Sequence, residues 1–169
     1  MSELALPKID ENIIQKKGFI VRKLKKITRS ENVLSHPDEI KPYETDALSA
    51  YKQTPLAVVL PEKTKEVSEI LKFCNEKNIK VIPRGAGTGL SGGALPLQDA
   101  ILLGLGKFNK ILEIDFENKC VVTQPGVTNL GITQAVQHKG FYYAPDPSSQ
   151  IACSIGGNVA ENSGGIHSL

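Results

Sequence analysis

Five glycines fall within ten residues in the run Pro83-Arg84-Gly85-Ala86-Gly87-Thr88-Gly89-Leu90-Ser91-Gly92-Gly93, directly after the apolar stretch Ile79 to Ile82. Glycine reaches positive φ at little cost, so successive amides can turn inward as a concave, electropositive nest suited to phosphate oxygens. The same composition also suits a plain flexible turn. A second glycine-rich stretch, Ile155-Gly156-Gly157-Asn158-Val159-Ala160-Glu161-Asn162-Ser163-Gly164-Gly165, follows the rigid polar run Pro145-Asp146-Pro147-Ser148-Ser149-Gln150. The two stretches hold nine of the chain's 15 glycines, which predicts two walls of one site.

Gly87-Thr88-Gly89-Leu90-Ser91-Gly92 satisfies the dinucleotide pattern G-x-G-x-x-G. That fingerprint needs a helix directly after the loop, whereas Pro96 and the apolar run Ile101-Leu102-Leu103 predict extended chain. Gly93 stands where a P-loop requires lysine, which excludes that class. Cys74, Cys120 and Cys153 show neither paired spacing nor company with His36, His138 and His167, so they indicate no metal site and no disulfide framework. The histidines are read as surface or packing residues.

The elements that must position these loops follow from periodicity. Ile13, Ile14, Ile20, Val21, Leu24 and Ile27 recur at helical spacing among basic residues, predicting an amphipathic helical region interrupted at Gly18. Its basic face suits either a solvated outer surface or an anionic membrane or acidic partner. Residues 30 to 55 read as an extended connector. Leu56 to Leu60 then reads as a buried strand, and Thr64 to Asn75 as a helix with Val67, Ile70, Leu71 and Cys74 on one face. With a second strand over Lys80 to Pro83 this makes a βαβ unit. Ala100 to Leu105, Ile111 to Asp115 and Lys119 to Thr123 predict three more strands, followed by a helix capped by Asn129 and ended at Gly140. The order predicts an α+β fold.

The 169 residues, 40% hydrophobic, suffice for a real core. Net charge is +2, but residues 31 to 169 carry 12 basic against 15 acidic side chains, which argues against a nucleic-acid-binding face. Aromatic residues make up 5% and tryptophan is absent, so base-stacking platforms are scarce. The odd cysteine count, with no secretory segment or long apolar span, points to a cytoplasmic setting.

Pro42-Tyr43-Glu44-Thr45-Asp46-Ala47, Ala57-Val58-Val59-Leu60-Pro61, Pro83 to Pro96, and Pro145 through Gly165 occur in the order and spacing of one group. The chain resembles the FAD-binding part of the glycolate oxidase D subunit and D-lactate dehydrogenase group, within the vanillyl-alcohol-oxidase type of flavoproteins. The resemblance implies a two-lobed α+β FAD-binding domain, a small βαβ lobe beside a larger β-rich one. Residues 1–54 would form an N-terminal helical region and connector, and residues 55–169 the N-terminal part of the FAD-binding domain.

By the same resemblance the loop of Pro83, Arg84, Gly85, Ala86, Gly87, Thr88, Gly89, Leu90, Ser91 and Gly92 wraps the pyrophosphate. Arg84 either braces that loop or touches the flavin. Pro145, Asp146, Ser148 and Ser149 would approach the ring or ribityl chain. Ile155, Gly156, Gly157 and Asn158, with Asn162, Gly164 and Gly165, would line the other side. Relatives that bond FAD covalently through this loop place histidine where this sequence has Thr88, which implies non-covalent FAD. The family oxidises small 2-hydroxy acids by hydride transfer to FAD and passes electrons onward, in some cases through other subunits. Membrane association would be peripheral at most. Family chains are longer and carry a second domain that supplies the base and any metal ligands, so a truncated or split product is expected and no catalytic base is assigned. The alternative is a non-catalytic FAD-binding or protein-interaction fragment.

Overall fold

A computed structural model describes residues 7–167. Asp10 accepts the Asn12 amide through its side chain and so caps helix α1, Glu11–Gln15. The predicted break falls at Lys16, two residues before Gly18, and α2 runs over Lys17–Ile27 with Gly18 inside it. Ile20, Val21 and Leu24 face inward, and the lysines and arginines stay outside. No helix among the described residues is long and apolar enough to cross a membrane.

The connector is not extended throughout. It carries strand β1, Val33–Leu34, and the short helix α3, Pro37–Ile40, which opens on a proline. Strand β2, Ala57–Val59, pairs antiparallel with β1 through Val33 opposite Val59. Helix α4, Thr64–Glu76, buries Ile70 and Cys74, while Leu71 turns outward at 45% exposure, against expectation.

Strand β3, Lys80–Arg84, and strand β4, Ala100–Gly104, complete a four-stranded sheet in the order β1-β2-β4-β3, parallel except for β1. The βαβ unit is therefore split, with β4 inserted between the two strands that α4 joins. Every residue of β4 is buried, as a central parallel strand requires. β3 lies at the edge, where Pro83 removes no needed donor. Ile13, Ile20 and Leu24 share one core with Ala57, Val59, Ile70, Ile101 and Leu103, so helices and sheet close on each other.

The second part begins with the antiparallel hairpin of β5, Ile111–Asp115, and β6, Cys120–Thr123. Asp115 accepts the Asn118 amide in its turn, and Lys119 takes a left-handed φ of 55°. Helix α5, Asn129–Val136, is capped by the Thr128 hydroxyl and not by Asn129, whose side chain is buried. The chain then turns at Gly140, φ 77°.

The predicted second glycine loop is largely a helix. α6 spans Ile155–Glu161 and is capped by the Ser154 side chain, which accepts the Gly157 amide. It ends at Asn162 with a left-handed φ of 51°. Glycine is a poor helix former, but at Gly156 a Cβ would lie 2.7 Å from Pro125 Cβ, so close packing outweighs propensity.

Candidate functional site

The glycine-rich run 85–94 opens the crossover from β3 to the adjacent parallel strand β4, so it leaves the carboxyl end of β3, the edge of the sheet at which open α/β folds bind ligands. Facing it is the start of α6. Between them lies a cleft of about 450 Å³, within the usual range of about 300–1,000 Å³ for small-molecule and cofactor sites.

Among the described residues, no amide from Gly85 to Ala94 donates a hydrogen bond to another protein group. Most backbone amides in folded proteins find a partner. The loop is held instead through acceptors and a side chain. The Gly87 carbonyl accepts the Ala47 amide at 2.9 Å, and Arg84 Nη1 donates to the Thr45 carbonyl at 2.6 Å. Burial lowers the Arg84 pKa, and the nearby Asp46 charge opposes that shift.

The amides of α6 are differently placed. Ile155 donates to the Val127 carbonyl and Gly156 to the Pro125 carbonyl, both at 2.8 Å. Gly157 donates to Ser154 Oγ at 3.4 Å, and Asn158 to the Ser154 carbonyl at 3.0 Å. The two walls thus differ, with unpartnered amides on the loop and amides already bonded within the protein at the start of α6. At Gly85 the walls touch: a Cβ there would lie 2.1 Å from Ser154 Oγ.

The structure places Pro83 to Gly89, Ser149, Gly156, Gly157 and Asn158 on the cleft. Leu90, Ser91 and Gly92 of the same loop lie outside the lining, with Leu90 71% exposed and Gly92 at a φ of 76°. The Asn158 side chain is turned inward, where its Nδ2 donates to Asn129 Oδ1 while Asn129 Nδ2 donates to the Pro145 carbonyl. That buried chain ties α6, α5 and the proline turn together. Asp146 also lies off the cleft. Its carboxylate accepts the His167 amide at 3.1 Å and meets His167 Nδ1 at 2.7 Å, and these bonds hold its carboxyl below the usual range. Gly165 packs against Asp146, where a Cβ would be 2.1 Å from its carbonyl oxygen. Pro145, Ser148, Ile155, Asn162 and Gly164 do not line the cleft.

Ser154, Glu161, Cys153, Leu105 and Pro125 also line it, beyond the residues expected from the sequence. Ser154 carries a readable signal, since serine directly before a helix is a standard cap. Glu161 does not, because its approach to the loop, with Ser91 Oγ 3.5 Å from Oε2, depends on how α6 docks.

Residues 55–169 match the family described as FAD binding domain. The chain belongs to that family. Its curated relatives include the glycolate oxidase subunit GlcD of Escherichia coli strain K12, 50% identical over 165 residues, covering 98% of this chain and 32% of GlcD. The D-lactate dehydrogenase of Anaerostipes hadrus is 36% identical, covering 100% of this chain and 34% of its own. The chain therefore spans about a third of these relatives' length. Among solved structures, p-cresol methylhydroxylase aligns with a TM-score of 0.76 at 24% identity, covering 95% of this chain and 32% of that one. At that identity the likeness shows the fold, which is the two-lobed α+β fold of these flavoproteins.

Proposed function

We propose that this chain holds FAD across the cleft, with the pyrophosphate on the cleft-lining amides of the loop from Gly85 to Ala94, as part of a flavin-dependent oxidoreductase acting on a small 2-hydroxy acid. The observation that carries the cofactor reading is the run of unpartnered amides on a concave loop at the strand ends. The residues fit the group chemically: backbone donors without a protein acceptor on the cleft suit a bridging anion, and the Thr88 hydroxyl is a further donor. The flat heterocycle would lie against the α6 backbone at Gly156 and Gly157, which line the cleft. Ser154 and the buried Asn129–Asn158 pair keep that surface fixed. When bound, FAD supplies the hydride-accepting chemistry, and the protein supplies binding and orientation.

The substrate class comes from relatives named for glycolate and D-lactate. GlcD is a subunit of glycolate oxidase, which supports assembly of this chain with further polypeptides, to which electrons would pass. Thr88 in the loop supports non-covalent attachment, and three free thiols suit a reducing cytoplasm. The polypeptide, purified at the length the cell makes, is expected to be yellow and to lose its colour anaerobically with a D-2-hydroxy acid. Acid precipitation is expected to leave all flavin in the supernatant. A colourless protein that FAD does not reconstitute would sink the proposal.

A further inference from the structure

We propose that Tyr43 to Ala47, which precede the family match at residue 55, are positioning residues that set the shape of the pyrophosphate loop by gripping Arg84 and Gly87. The proposal rests on the FAD reading above for its ligand and on geometry for everything else.

Arg84 leaves the end of β3, and its guanidinium folds back under the loop. Nη1 donates to the Thr45 carbonyl at 2.6 Å, and Cζ stands 5.7 Å from the centroid of the Tyr43 ring. The guanidinium fills the space beneath Gly87, where a Cβ would lie 2.4 Å from Nη2 and 2.6 Å from Cζ. Gly87 itself has a φ of 75°, and its carbonyl accepts the Ala47 amide. The loop's other left-handed residue, Gly92, rests on Leu48, whose Cδ2 is 3.4 Å from the place a Cβ would take. Both left-handed glycines of the loop therefore sit on one short segment.

That segment is itself fixed. Thr45 Oγ1 donates to the Tyr51 carbonyl at 2.9 Å, and Asp46 Oδ1 accepts the Leu48 amide at 2.9 Å. Asp46 is 5% exposed, and its other carboxylate oxygen is buried without a partner, beside the Arg84 charge. The grip uses a loop carbonyl and an arginine side chain and spends none of the loop's amides, so every donor stays available to an anion. A lysine at 84 would keep the charge and lose the planar contact with Tyr43 and the fork that reaches Thr45.

The test compares wild type, Tyr43→Ala, Tyr43→Phe and Arg84→Lys. In cofactor-free protein, NMR order parameters of the Gly85 to Ala94 amides are expected near 0.85 for wild type and Tyr43→Phe, and below about 0.6 for the other two. FAD and ADP-ribose affinities, read by flavin fluorescence and calorimetry, are expected to weaken at least tenfold in Tyr43→Ala and Arg84→Lys and less than twofold in Tyr43→Phe. Unchanged order and unchanged affinity in Tyr43→Ala and Arg84→Lys would overturn the proposal. If wild type bound no FAD, the cofactor reading would fall, and the order parameters alone would still decide whether the segment shapes the loop.

Discussion

Gly85→Ala probes the place where the two walls of the cleft meet. The new Cβ would lie 2.1 Å from Ser154 Oγ but 3.4 Å from Ser154 Cβ, and Gly85 has no positive φ that would forbid alanine. The least costly response is rotation of the Ser154 hydroxyl, which gives up its bond to the Gly157 amide. Loss of such a cap costs about 0.5–2 kcal/mol. A buried hydroxyl left unpaired adds about 1 kcal/mol or more, and the lower entropy of the unfolded alanine chain returns about 0.4–1 kcal/mol. The net expectation is about 1–2 kcal/mol, or roughly 2–8 °C in Tm for a chain of this size. Thermal and urea unfolding of Gly85→Ala, Ser154→Ala and the double variant form the assay. With the hydroxyl removed there is nothing to displace, so Gly85→Ala should cost nothing further in the Ser154→Ala background, giving a coupling of about 1–2 kcal/mol. Equal destabilisation in both backgrounds would show that Ser154 Oγ is not what the new methyl displaces.

Three further expectations follow from the same geometry. Asn129→Ala strands the buried Asn158 amide and the Pro145 carbonyl, so urea unfolding should show a loss of about 2–4 kcal/mol; a change below about 0.5 kcal/mol would contradict the bridging role. Hydrogen bonds from the His167 backbone and side chain keep the Asp146 carboxyl below its ordinary 3.8, so the tether they form is fully present above that pH and lost as pH falls through the lowered value. An NMR titration of the His167 amide should show the tether intact at pH 5, and release there would contradict it. Thiol labelling of native protein should modify exposed Cys120 first, while burial pushes the Cys74 thiol up to about 11 and leaves it inert. FAD should slow any labelling of Cys153, which lines the cleft.

The first lobe was legible because its strands are short apolar runs and α4 has a clean helical period. What the sequence concealed was order, since β4 slides between β2 and β3 and no local pattern records that insertion. The glycine-rich loop on the cleft was legible from glycine spacing, and the chain after it is not helical, as Pro96 and the apolar run 101–103 predict. The second wall was misjudged because Gly156 and Gly157 argue against helix. Ser154 and the close packing of Gly156 on Pro125 override that propensity. Val33–Leu34 is too short to show a period, so the connector hid a strand. The hold of Thr45 on Arg84 spans 39 residues and could only be seen once the chain was folded.

Under the proposed function, the cleft-lining amides between Gly85 and Ala94 receive the cofactor's pyrophosphate. The decisive measurement is an NMR titration of the amide spectrum with FAD, ADP-ribose and riboflavin in parallel. FAD and ADP-ribose should both shift the resonances of Gly85 to Gly89, Gly93 and Ala94 downfield, whereas riboflavin should leave them in place and perturb residues near Gly156 and Gly157. Binding of FAD with those loop resonances unmoved would contradict that placement of the pyrophosphate.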